Sequence, residues 1–266
     1  MAAATLGIIL PPDVAPERLI GLAQQAEAAG VEEVWLWEDC FAQSGLGPSA
    51  AVLAATSRIR VGLGLMPVPL RNVALTAMEI AALARMFPHR FLPGIGHGVL
   101  DWMGQAGARA RSPLTLLREQ AVALRALLAG DEVTTAGEYV RLDRVRLRWP
   151  PEAVPPVLVG ATRPRTLALA GEVGDGLILA GDEGPEAEAE AARIALEARA
   201  AAGVEGAFDV VEFASIAASA DLEAVRALRG TYPHATRIPI LALAADGTPD
   251  RGDAIPALIA TIAGAA

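Results

Sequence analysis

The stretch VPPVLVGATRPRTLALAGEVGDGLIL, Val154–Leu179, contains one full unit of the architecture that runs through this chain. Pro156–Val159 reads as a short buried strand that breaks at Gly160, a helical pattern follows near Arg163–Ala170, and Gly176–Ala180 reads as the next strand. Two apolar strands joined by a helix, with no hairpin turn between them, make a parallel βαβ unit.

The same alternation extends in both directions. Upstream, Leu6–Leu10, Glu33–Trp37, Arg60–Met66 and Phe91–Ile95 read as strands, and Pro16–Ala29, Ser49–Thr56, Val73–Phe87 and Pro113–Leu128 as helices. Downstream, Phe208–Ser215 and Ile238–Ala242 are strands, with helices near Pro185–Ala202, Leu222–Leu228 and Asp253–Ile262. One segment breaks the rhythm: residues 131–150 alternate with the period of a β-hairpin, with Gly137 in the turn. Eight strand–helix units within 266 residues point to an α/β fold, a (β/α)8 TIM barrel with a β-hairpin insertion between strands 4 and 5. One barrel domain over residues 1–266 is the expected organisation. A doubly wound sheet is the competing fold, but LGIILPPDVAP after the first strand has no GxGxxG, and GIGHGV carries Val99 where a third glycine belongs.

Composition narrows the chemistry. The net charge of −9 argues against nucleic-acid binding. There is no lysine, so all 22 basic residues are arginines and Schiff-base catalysis is excluded. The histidines are His89, His97 and His234, none in a metal-ligand spacing, so no metal is expected. No apolar run is long enough to span a membrane, and MAAATLGIILPPD lacks the basic start of a signal peptide. Cys40 stands alone, which excludes an internal disulfide and suits the cytoplasm.

In a barrel, chemistry is expected where strands end and loops begin. Strand two ends in WLWEDCF, placing Glu38 and Asp39 where the chain leaves the barrel: proton-relay groups, or a cap and a solvated charge. In VGLGLMPVPLRN, Val61–Asn72, Gly62 and Gly64 interrupt a strand that stiff prolines carry on to Arg71. Strand four ends in GIGHGVLDWM, where His97 lies between Gly96 and Gly98, aimed at the mouth or bonded to neighbouring backbone. Strand five ends in Gly160, Ala161 and Thr162, and Arg163 and Arg165 open the next helix. Cations oppose the dipole there, so either an anion such as phosphate binds or the two arginines are simply solvated.

Taken in order, WLWEDCF, ATSRIRVGLGLMPVPLR, GIGHGVLDWM and VPPVLVGATRPRTLALAGEVGDGLIL resemble the luciferase-like superfamily, in particular its coenzyme F420-dependent oxidoreductases. The resemblance covers Leu6 to about Ser215. It implies a barrel that binds F420, or alternatively FMN, at the strand ends and transfers hydride to or from a small organic substrate. It also implies a cis Gly64–Leu65 peptide whose bulge backs the ring, with Gly62 and Gly64 giving clearance, and a phosphate site at Gly160, Ala161, Thr162 and Arg163. Arg71 and the hairpin arginines would approach the anionic tail, and Gly96 would lie against the cofactor. Asp39 stands where the family often has a histidine, with Glu38 as the acidic residue before it, and His97 completes the set facing the substrate. Aliphatic Ile9 and Leu10, and Val99, replace carboxylates that some reductases and sugar-phosphate dehydrogenases of the family carry. Two alternatives stay open: an FMN-dependent monooxygenase, and a non-catalytic deazaflavin- or flavin-binding barrel. Relatives often pair, and the chain is compatible with a homodimer.

Overall fold

The computed structural model describes residues 3–181 and 183–265. Strand β1 (Thr5–Ile9) leads through a 3-10 turn into α1 (Leu19–Ala29), which stops where Gly30 adopts a left-handed φ of 94°. Then come β2 (Glu33–Leu36), α2 (Leu46–Ala55), β3 (Arg60–Pro67) and α3 (Val73–Met86), whose N-terminus is capped by Asn72. After β4 (Phe91–Gly96) lie α4 (Leu100–Gln105), α5 (Pro113–Ala129) and an antiparallel pair, β5 (Val133–Ala136) and β6 (Arg141–Val145). The series resumes with β7 (Leu158–Gly160), α6 (Pro164–Val173), β8 (Gly176–Leu179) and α7 (Pro185–Ala201). It ends with β9 (Asp209–Glu212), β10 (Ala214–Ala217), α8 (Leu222–Thr231), β11 (Arg237–Leu243) and α9 (Ile255–Ala265).

The strands lie in the order β1-β2-β3-β4-β7-β8-β9-β11, and β1 pairs in parallel with β11, closing an eight-stranded barrel. The single strand expected over Phe208–Ser215 is broken at Phe213 into β9 and β10; β10 continues alongside β11. Outside the barrel, apolar stripes of the helices cover the strands. On α5, Leu116, Leu117, Ala121, Leu124, Leu127 and Leu128 are all buried, as their spacing dictates.

Inside, a separate cluster fills the lumen: Ile9, Trp35, Leu92, Leu158, Ile178 and Val211, with Trp37, Phe213 and Leu241 packed against it. At the strand N-termini the lumen is closed by charge. The Glu33 carboxylate, fully buried, accepts from the Trp35 indole at 2.9 Å and pairs with Arg60 at 2.9 Å and with Arg237, which also reaches Asp209 at 3.2 Å. Burial pushes the Glu33 carboxyl up, and the two guanidinium groups pull it back. In barrels of this kind the site lies at the opposite end, where the strands' C-termini meet the βα loops. Among the described residues, no helix is long and apolar enough to cross a membrane.

Candidate active site

The β2 corner separates the two carboxylates that the sequence sets side by side. Glu38 Oε2 accepts from Arg71 Nη2 at 2.7 Å and from the Gly45 N–H at 2.9 Å, and its side chain is 5% exposed. It is therefore the anchor of Arg71 and of the α2 entry, not a free acid at the mouth. Asp39 is held by backbone: its N–H donates to the Gln43 carbonyl at 3.0 Å, and its carbonyl accepts from Ala42 and Gln43. Its half-buried side chain bonds to Trp37. Burial raises the Asp39 carboxyl above its ordinary 3.8; the Trp37 bond opposes this, and the nearby charge of Asp13 adds to it. Cys40 is also pushed up, by burial and then by Glu38 and Asp39, so its thiol is a poor nucleophile.

The glycines of β3 serve neighbours from other strands. A Cβ on Gly62 would collide with the Trp35 indole, and one on Gly64 would lie 2.8 Å from Phe213 Cζ. Their clearance is used by two aromatic side chains of the lumen. The Gly64–Leu65 peptide is cis, as is Cys40–Phe41. The β3–β4 register shifts between Leu63 and Met66, and the bulge carries Leu65 over β4 and β7. A Cβ on Gly96 would come within 2.6 Å of Leu65 Cδ2, and one on Gly160 would meet the same atom. Gly96 and Gly160 thus accommodate Leu65, which remains half-buried at the mouth.

After the β4 strand end, His97 Nε2 lies 3.2 Å from Thr166 Oγ1 of α6. Burial lowers the His97 pKa, with the Pro113 carbonyl opposing, which favours the neutral ring. Helix α6 begins beside it with Arg163 as N-cap and Pro164 at the first position, and no side chain caps it. Thr162 precedes the N-cap residue and does not cap the helix. Ala161 is buried, whereas Thr162, Arg163 and Arg165 are exposed. An uncapped N-terminus flanked by two guanidinium groups is a place for an anion.

Arg71 also faces a cavity of about 460 Å³ on the flank of the mouth, between the β3–α3 segment, the α4–α5 loop and the hairpin. Arg71, Arg109 and Arg141 line it together with Asn72, Gln120 and Tyr139, and no carboxylate does. The hairpin arginines part company here. Arg146 bonds the Gly130 carbonyl at 2.9 Å, Arg148 lies over Trp149, and Arg144 lies 3.6 Å from Asp143.

Comparison with known proteins agrees with this layout. The model of the family described as luciferase-like monooxygenase matches residues 3–255. This chain belongs to that family. Among curated relatives of this luciferase-like chain, the 5,10-methylenetetrahydromethanopterin reductase of Methanolobus tindarius is 30% identical over 84% of the chain and 68% of the relative. The F420-dependent glucose-6-phosphate dehydrogenase of Kineococcus radiotolerans is 32% identical over 66% of the chain and 56% of the relative. The matches thus span 56% and 68% of these relatives' lengths. The solved structure of monooxygenase RslO1 from Streptomyces bottropensis superposes with a TM-score of 0.83 over 98% of both chains at 19% identity, a likeness of fold.

The luciferase-like barrel also contains mouth residues that sequence reasoning passed over. Trp37 and Phe213 stack at 6.2 Å between ring centroids with a 32° tilt, and Phe213 meets Trp35 edge-on at 5.7 Å. For Trp37 there was a signal, because the WLW repeat puts Trp35 and Trp37 on the same strand face. Phe213 gave none beyond its place in an apolar run. Arg109 and Thr166 lie in loop and helix positions whose partners are distant in sequence.

Proposed function

We propose that this chain is an F420-dependent oxidoreductase that transfers a hydride between coenzyme F420 and a small organic substrate. The observation that carries the reading is the pairing of an uncapped, arginine-flanked α6 N-terminus with the half-buried Leu65 bulge. One end suits a phosphate, and the other offers an apolar surface to a flat ring. The two curated relatives, one an F420-dependent glucose-6-phosphate dehydrogenase and the other a 5,10-methylenetetrahydromethanopterin reductase, agree with it.

When bound, F420 supplies the redox chemistry of its deazaflavin ring. The chain supplies position and protons. Gly160, Ala161, Thr162 and Arg163, with Arg165, hold the phosphate at the helix terminus. Leu65 supports the ring, and Gly96 and Gly160 fix where Leu65 sits. Arg71, Arg109 and Arg141 line the cavity that accepts the anionic tail. Asp39, with its pKa raised chiefly by burial, is suited to hold a proton for the substrate oxygen, and His97, whose pKa burial lowers, lies two strands round the barrel after β4.

The direct test is to titrate purified protein separately with F420 and FMN, following fluorescence, and to measure oxygen uptake with reduced FMN. F420 binding without oxygen uptake supports the proposal; tight FMN binding without F420 binding overturns it.

The same reading extends to the molecule as a whole. One barrel domain with a single cysteine fits a reducing cytoplasm. The exposed apolar side chains Leu75, Met78 and Met86 along one helix suit pairing as a homodimer, which sedimentation equilibrium checks.

A further inference from the structure

We infer that the substrate end of the mouth selects uncharged molecules over anions, and that Phe213, stacked on Trp37, is the residue that sets the size it accepts. This rests on the F420 reading above, which assigns the arginine-rich α6 side to the cofactor.

The charge argument follows the loops around the rim. The segments after β1, β3 and β11 carry Arg18, Arg71 and Arg251. Arg18 bonds Asp253 at 3.0 Å, Arg71 bonds Glu38 at 2.7 Å, and Arg251 lies where its charge reaches Asp246. The segments after β2 and β10 contain no arginine. Asp13 and Asp39 remain, and neither has an ion-pair partner among the described residues. Their charges sense one another. A phosphate or carboxylate on a substrate would meet this field with the Arg18 and Arg71 guanidinium groups already held by carboxylates.

The surface between these loops is aromatic. Phe213 interrupts the barrel strand at its C-terminal end, its ring lies against Gly64, and Trp37 stacks beside it. Its backbone is pinned: its N–H donates to the Leu179 carbonyl at 3.1 Å, and Gly181, at φ 76°, packs so closely on its carbonyl that a side chain there is excluded. A partly exposed ring on a fixed backbone, next to the Leu65 bulge, is a rigid wall for a small apolar substrate.

The experiment uses the F420-loaded protein and two matched probes, cyclohexanone and 4-oxocyclohexanecarboxylate, with binding read by saturation-transfer NMR. Cyclohexanone is expected to bind about tenfold more tightly than the carboxylate. Asp13→Arg is expected to narrow that gap by strengthening the carboxylate. Phe213→Leu is expected to favour 4-tert-butylcyclohexanone relative to cyclohexanone, a change in ratio that loss of lumen packing alone would not produce. Equal binding of the two probes, no binding of cyclohexanone, or a Phe213→Leu variant that scales both ketones alike would overturn the inference. Failure of F420 to load is seen first, in the fluorescence titration, and counts against the functional reading instead.

Discussion

Arg71 Nη2 lies 2.7 Å from Glu38 Oε2, tying the segment that follows the β3 bulge to the residue before Asp39. The pair is largely buried, with 18% and 5% of the side chains exposed. Removing one member leaves the other charged and poorly solvated. Arg71→Met is therefore expected to lower stability by about 3–5 kcal/mol, and the double variant Arg71→Met/Glu38→Gln to recover much of it. Urea denaturation of the single and double variants checks this.

Asp39 makes the opposite kind of contribution. A carboxyl whose pKa is higher in the folded state than in the unfolded chain favours folding when protonated, and that advantage is lost as pH rises through the folded value. Asp39→Asn should match the parent protein below about pH 3.8, the unfolded value, and become the more stable of the two as pH rises through the folded value. Chemical denaturation across pH 3–8 shows the divergence, and turnover should fall in the same variant.

Glu119 is the clasp of the hairpin. Its carboxylate accepts from the N–H groups of Glu138, Tyr139 and Val140 at 2.8–2.9 Å. Burial raises its pKa, but these bonds outweigh burial and hold it below 4.5, so its support is complete above that value and fades as pH falls through the folded one. Glu119→Ala should speed amide exchange across residues 133–145 with little change in the global melting temperature.

Gly62 has no room for a methyl group beneath the Trp35 indole. Gly62→Ala is expected to lose about 1–3 kcal/mol by overpacking, and Trp35→Leu in the same chain to relieve part of it. Thermal unfolding of both variants distinguishes this from a role in the cofactor site, where stability would be little changed.

At α6, Arg163→Ala/Arg165→Ala should weaken F420 about tenfold while leaving a phosphate-free deazaflavin unaffected, because only the phosphate uses those cations. Raising the salt concentration should reproduce part of the loss in the parent protein. Fluorescence titration reads both.

Much of the barrel was legible because strand and helix periods depend on local spacing. The apolar positions of α5 and the left-handed glycine that ends α1 are set by neighbours a few residues away. The corners at Glu38, Asp39, His97 and Arg163 were likewise legible, since a strand's end fixes which residues reach the mouth. What those residues touch was not. Neighbouring Glu38 and Asp39 look alike in sequence, yet one is bound by Arg71, 33 residues away, and the other is not.

The sequence by itself determined the alternation of elements, the chemistry available and the barrel they imply, because hydrophobic period and residue type act locally. Tertiary structure alone decided that Gly62 and Gly64 serve Trp35 and Phe213, that Gly96 and Gly160 seat Leu65, and that three arginines from separate segments share one cavity. Closing the sheet places side chains from distant strands in the same volume, and only excluded volume and charge at that meeting point select among residues that look equivalent along the chain.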